Sequence, residues 1–197
     1  MSYAQACIEL VGICGLARAG KDTLANRIVE RVPGTVRMAL ADPLKRDVVA
    51  LGLATEEQVC EKDPRTRRIL QVWGTEHGRA VDDQYWLLRF CAGAFQMCAR
   101  AGGNPPMPER FVVPDIRYPN EADFILRNRG ILFWVDAAER LDKPMNHASE
   151  LSLPKIVRAK AQHTRFVRLS NNADEATFLE TCDEAIDLWW LDELRNA

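Results

Sequence analysis

At residues 15–23 the chain reads Gly15-Leu16-Ala17-Arg18-Ala19-Gly20-Lys21-Asp22-Thr23. Two glycines separated by four residues, with a lysine next, have the spacing of a loop that wraps phosphate. Gly15 and Gly20 permit backbone angles that a side chain would forbid. The N–H groups of the loop can then point inward at phosphate oxygens, backed by the positive end of a following helix. Lys21 has the reach to bring its charge to the β- and γ-phosphates of a nucleotide. Asp22 stands where Ser or Thr normally follows the lysine, and Thr23 comes one residue later. The metal contact usual at that position therefore falls to Asp22 or Thr23.

Other residues carry compatible chemistry. Asp115 and Arg117 follow the apolar run Val112-Val113-Pro114. A carboxylate at such a strand end can hold magnesium, directly or through water, and an arginine two residues on can grip phosphate with two N–H groups. Asp42 and Pro43 read as the cap and first residue of a helix, which would bring Lys45 toward a second anion. In the segment 63–79, counting 100° per residue puts Arg68, Gln71, Thr75 and Arg79 on one face and Ile69, Leu70 and Trp73 on the other. Arginines suit a phosphate, whereas an amide or hydroxyl suits a base edge or a sugar. Arg140, Lys143, His147, Ser149, Glu150, Arg158 and Lys160 mark a basic connector over about 138–163, of the kind that can close as a lid and exclude water.

These residues need a frame to position them. Strands are expected at 7–13, 36–40, 111–114, 131–136 and 166–170. Helices are expected at 21–31, 43–51, about 64–80, about 83–101, 120–129 and 174–194. The alternation predicts a three-layer α/β/α fold with a five-stranded parallel sheet. Ligands of such sheets sit at the carboxyl ends of the strands, where the loop at 15–20 lies. The whole chain reads as one domain, with 43–101 as a helical insertion that holds a substrate. The stretch Gly102–Pro108 is a connector.

Composition narrows the function. The chain has 197 residues, 47% of them hydrophobic, which is ample for a core. The net charge of −2 gives no ground for binding nucleic acid or anionic membrane. No apolar run of membrane-spanning length occurs, and the first residues lack the basic start and apolar core of a signal peptide. A cytoplasmic protein is expected. Six cysteines form no C-x-x-C pair and three histidines lie far apart, so reduced thiols are expected rather than disulfides or zinc. The last helix puts Phe178, Leu179, Cys182, Ile186 and Trp189 on a core face. Trp190 lies off that face and is the one hint of a homodimer.

Several of these segments together resemble the phage-type deoxynucleoside monophosphate kinases. They are Gly-x-Ala-Arg-x-Gly-Lys-Asp-Thr, Ala41-Asp42-Pro43-Leu44-Lys45, Leu-Gln-x-x-Gly-Thr-Glu-x-x-Arg over 70–79, Asp115-x-Arg117-x-x-x-Glu121, and His147-x-Ser149-Glu150. The resemblance spans about residues 8–172, and Asp22 fits that family's Gly-Lys-Asp-Thr form of the loop. It implies a P-loop kinase that moves the γ-phosphoryl group of ATP, with Mg²⁺, to a deoxynucleoside monophosphate. It implies Lys21, Asp115 and Arg117 as catalytic residues, Gly15–Thr23 as the ATP loop, and Asp22, Thr23 and Asp115 as metal contacts. Asp42, Lys45, Arg68 and Arg79 would serve the acceptor phosphate. Gln71, Trp73, Thr75, Glu76 and Trp86 would serve its base and sugar, and Arg140, His147 and Glu150 the lid. Lys45 stands where adenylate kinases have an arginine. Two alternatives stay open: a kinase of another small acceptor, such as dephospho-coenzyme A or a phosphorylated mevalonate, and a non-enzymatic ATP switch or nucleic-acid-binding NTPase.

Overall fold

The first apolar run becomes β1 (Glu9–Gly15), buried at every position after Glu9. A strand buried on both faces needs cover on both, and its neighbours supply it. β2 (Thr35–Arg37), β3 (Arg110–Ile116), β4 (Ile131–Asp136) and β5 (Phe166–Ser170) complete a parallel sheet in the order β2-β3-β1-β4-β5. The computed structural model describes residues 9–61, 63–100, 107–141 and 151–196, the last seven by their backbone alone. Two compact units divide the chain, residues 1–37 with 108–197, and residues 38–107.

In the first unit, α1 (Lys21–Arg31) and α8 (Glu175–Asn196) cover one face of the sheet. Leu24, Ala25 and Ile28 meet Val11, Ile13, Phe133 and Val135 there, with Phe178, Cys182 and Ile186 closing the same core. Arg27 and Arg31 of α1 reach Asp183 of α8 at 2.6 and 3.0 Å. The opposite face carries α6 (Pro119–Arg127) and α7 (Leu153–Lys160), whose Ala122, Ile125, Leu153 and Ile156 are buried. An ion pair between Lys160 and Asp123 joins these two helices.

The second unit is helical: α2 (Ala41–Ala50), α3 (Glu56–Glu61), α4 (Pro64–Val72) and α5 (Tyr85–Arg100). Val48, Ala54 and Val59 form its small core, against which Leu44, Ile69, Leu70 and Trp73 pack. Asp63 caps α4 by accepting from the N–H groups of Arg65 and Thr66 at 2.9 and 3.2 Å, with Pro64 at the first helical position. After Val72 the chain widens into a π-helix, Trp73–Arg79. Its wide bonding shows in the Ala80 N–H, which donates to the Thr75 carbonyl five residues back at 2.8 Å.

Several expectations change. β2 is shorter and earlier than 36–40, and β1 and β3 run two residues further than expected. α2 begins at Ala41, so Asp42 is not its cap. It lies in the first turn, where its carboxylate accepts from the Ala39 N–H at 2.8 Å. The helix expected across 64–80 is α-helical only to Val72. Two helices, α3 and α7, lie where no separate helix was expected. The second half of the proposed lid, 138–163, contains α7 packed on α6. His147 and Glu150, with Lys143 and Ser149, lie outside the described residues, as does the Trp190 side chain.

Candidate nucleotide-phosphate site

The loop between β1 and α1 takes its shape from its two glycines. Gly15 has φ +149° and Gly20 +101°. A Cβ on Gly15 would stand 2.6 Å from the Val135 carbonyl oxygen of β4, and one on Gly20 would stand 2.5 Å from Asn171 Nδ2. Both positions therefore exclude a side chain on backbone and spatial grounds alike. Arg18 is also left-handed, at φ +67° without the freedom of glycine. Such a residue costs roughly 1–2 kcal/mol and needs outside support. Its carbonyl accepts from Arg140 Nη2 at 3.2 Å.

Lys21 opens α1 and folds back over the loop. Its Nζ donates to the Gly15 and Leu16 carbonyls at 2.9 and 2.6 Å. Burial pulls its pKa down to about 8, and the Arg117 charge pulls the same way, while Asp22, Cys14 and Asp115 oppose them. Lys21, Asp115 and Arg117 thus share one electrostatic neighbourhood. Asp115 is half-buried near the end of β3, and Arg117 is exposed just beyond it. Both N–H and carbonyl of Arg117 are held. The Glu121 carboxylate accepts from its N–H at 2.7 Å, and its carbonyl accepts from Ser152 Oγ at 2.5 Å. Glu121 also accepts from the Tyr118 N–H at 3.1 Å while capping α6.

Asp22 and Thr23 are placed differently. The Asp22 side chain is 75% exposed and forms an ion pair with Arg37, whose other guanidinium nitrogen donates to Asn26 Oδ1 at 2.8 Å. Thr23 is half-buried on the first turn of α1. Among the described residues there is no group of three or more His, Cys, Asp or Glu side chains that could enclose a metal ion by themselves. One half-buried carboxylate, Asp115, beside a loop of N–H donors fits a magnesium ion that takes most of its oxygens from phosphates and water.

The second unit holds the remaining expected residues. Lys45 Nζ donates to Asp42 Oδ1 at 3.1 Å. Arg68 is exposed, whereas Gln71, Thr75 and Arg79 are half-buried. The π-helix breaks the 100° phase that would align all four, so Arg68 and Gln71 follow one helical count and Thr75 and Arg79 another. Glu76 is exposed. Trp73 packs on the unit's core and stacks on His77 with ring centres 4.2 Å apart. Trp86 is 6% exposed and donates from Nε1 to the Gly74 carbonyl at 2.8 Å. Its indole lies against Gly78, where a Cβ would come within 2.5 Å of Cε2. The indole ring therefore braces the π segment.

Four residues around the phosphate loop escaped the sequence reading in this role: Arg37, Ser152, Asn171 and Glu121. Glu121 alone left a trace, as the last residue of the motif that begins at Asp115. Asn171 is buried past β5 and donates from Nδ2 to the Ala19 carbonyl at 2.8 Å.

A parallel sheet in this order, with a phosphate loop at the end of β1, has the fold of the P-loop kinases. A gluconokinase from Sinorhizobium meliloti 1021 shares it with a TM-score of 0.52 at 11% identity, over 96% of this chain and 97% of that one. A dephospho-CoA kinase from Campylobacter jejuni gives a TM-score of 0.48 at 12% identity, over 90% and 95%. In sequence, a protein of Acanthamoeba polyphaga mimivirus, provisionally named a deoxynucleotide monophosphate kinase, is 28% identical over 163 residues, an alignment covering 75% of this chain and 83% of that protein. No family model matches the chain. Among the described residues no helix is long and apolar enough to cross a membrane.

Proposed function

We propose that the protein is a nucleotide kinase that transfers the γ-phosphoryl group of ATP to the phosphate of a deoxynucleoside monophosphate. The observation that carries this reading is the glycine loop after β1, with Lys21 folded over it and Asp115 near the end of the neighbouring strand β3. The mimivirus relative supports the choice of acceptor.

Phosphoryl transfer asks little covalent chemistry of a protein, so catalysis rests on positioning and charge. Loop N–H groups from Gly15 to Gly20 bind the ATP phosphates. On binding, Lys21 exchanges the Gly15 and Leu16 carbonyls for phosphate oxygens and neutralises charge that grows in the transition state. A bound magnesium ion would supply positive charge against that of the phosphates. Asp115 would hold it, with Thr23 better placed than Asp22, whose carboxylate is engaged by Arg37. Arg117 brings a second positive charge to the transferred group, on a turn fixed by Glu121 and Ser152. Residues 38–107 are proposed as the acceptor-binding unit. Lys45, Arg68 and Arg79 would serve the phosphate there, with Asp42 orienting Lys45. Gln71, Thr75 and Glu76 would serve base and sugar. Trp73 and Trp86 would shape the pocket from behind, since both indoles pack inside the unit. Arg140 would steady the loop at the root of a lid completed by His147 and Glu150. Action in the cytoplasm, as a monomer or a homodimer, completes the proposal.

A kinase of another small acceptor is the second reading, favoured by the fold shared with a gluconokinase. One experiment separates them. ADP release is measured with ATP and Mg²⁺ against all ribo- and deoxyribonucleoside monophosphates, dephospho-coenzyme A, phosphomevalonate and gluconate. Turnover confined to deoxynucleoside monophosphates is the expected result. Turnover confined to another acceptor overturns the assignment, and release with water or DNA alone would point to an NTPase.

A further inference from the structure

We propose that Asn171 is a positioning residue for the phosphate loop, fixing the Ala19–Gly20 peptide so that the Gly20 N–H faces the bound phosphates. The inference rests on the reading of the chain as an ATP-using kinase and adds to that site a residue outside the loop motif. Asn171 is 8% exposed and is itself held before it holds anything else. Its N–H donates to the Asp136 carbonyl at the end of β4 at 2.6 Å, and its carbonyl accepts from Arg140 Nε at 3.1 Å. From this fixed base Nδ2 donates to the Ala19 carbonyl at 2.8 Å.

The consequence follows from peptide geometry. A trans peptide is planar, with its C=O and N–H pointing opposite ways. Drawing the Ala19 carbonyl onto Asn171 turns the Gly20 N–H to the far side. Ala19 has no exposed surface, so its carbonyl has no solvent partner to fall back on. Arg140 extends the brace by one residue, through the carbonyl of the left-handed Arg18. Two successive loop carbonyls are thus tied to the exits of β4 and β5. A loop prepared in this way need not reorganise when ATP arrives, which is the condition for strong electrostatic binding.

The test is ATP binding by titration calorimetry across about pH 5 to 8, where a poorly solvated carboxyl group titrates. Wild type is compared with Asn171→Asp and Asn171→Ser. Aspartate keeps the shape of asparagine but has no donor when ionised; protonated, its O–H can donate to the Ala19 carbonyl. Asn171→Asp is expected to bind ATP about tenfold more weakly than wild type at the alkaline end, for the loss of one such hydrogen bond. Relative to wild type at the same pH, its affinity recovers on acidification. The acceptor KM and the circular dichroism spectrum stay unchanged. Asn171→Ser carries the test should the aspartate variant fail to fold, and it is expected to bind ATP more weakly at every pH. ATP affinity equal to wild type in whichever variant folds, or a loss in Asn171→Asp that acid does not reverse, overturns the positioning role. A wild-type protein that binds no ATP overturns the kinase reading itself and takes the positioning role with it.

Discussion

The Glu121 carboxylate accepts the Arg117 main-chain N–H at 2.7 Å from inside the first turn of α6. A helix cap and the turn proposed for the active site are here one structure. Glu121 is 4% exposed, so the bonds it makes to Arg117 and Tyr118 have no water to replace them. Glu121→Ala should lower stability by about 1–2 kcal/mol, the cost of leaving the Arg117 and Tyr118 N–H groups without their acceptor. Turnover should fall more than ATP affinity, because Arg117 loses its placement while the loop at 15–20 is intact. Urea unfolding with steady-state kinetics checks both. Lower stability with unaltered kcat would remove the 115–121 turn from the reaction.

The depressed Lys21 pKa of about 8 gives the free enzyme a pH signature. Below it the amine is charged and able to bind phosphate; above it the charge is lost. The value of kcat/KM for ATP, which reports the free enzyme, should fall as pH rises through about 8. With ATP bound, phosphate charge pulls the Lys21 pKa up, so the fall in kcat should come at higher pH. Lys21→Ala should abolish this limb and lower kcat by on the order of 10²-fold or more, since transition-state charge stabilisation is lost. Near-normal turnover in Lys21→Ala would remove the phosphate-loop reading.

Asp22 and Asp115 make a paired test of the metal site. Asp22→Ser should turn over within about twofold of wild type, since exposed ion pairs contribute little. Asp115→Asn should raise the magnesium concentration needed for half-maximal rate by about tenfold, with an unchanged melting temperature. Magnesium titrations of both variants decide the matter. A reversed pattern would return the metal contact to Asp22.

The acceptor unit is tested by comparing its arginines with its amide. Arg68→Ala and Arg79→Ala should raise the acceptor KM about ten- to a hundredfold for every monophosphate alike, as loss of a charged hydrogen bond does. The KM for ATP should change little. Gln71→Ala should instead shift the ratio of kcat/KM between bases. Equal losses for all bases would place Gln71 on sugar or phosphate. Because both arginines would serve one phosphate, their effects should fall short of or exceed simple addition when combined.

How much of this was legible beforehand depends on the span over which each feature is decided. β4, β5 and α1 could be read with their ends, because apolar runs and the spacing of Leu24 and Ile28 are local signals. Asp42 was misread because cap and first-turn positions share a preference for aspartate, and only the Ala39 N–H distinguishes them. α7 was overlooked because Leu153 and Ile156 are its two fully buried side chains among Pro154, Lys155, Arg158 and Lys160. The Asn171 contact lies beyond any local reading, for 152 positions separate it from Ala19. The phosphate loop itself is a local motif and stood out at once. Its supports come from distant strand ends and carry no spacing rule.

The π-helix has a meaning for the history and alteration of this chain. A wide turn within a helix is what one inserted residue leaves behind when the flanking turns are already committed to their packing. Here the indole of Trp86 and the bare backbone of Gly78 lock that surplus residue in place. Deleting one residue between Trp73 and Arg79 would let the segment close into ordinary turns and leave the flanking turns where their packing already holds them. Thr75, inside the segment, would be re-aimed by that change of length without being altered itself. A lineage could retune the proposed acceptor unit by such a step and leave the loop at 15–20 untouched.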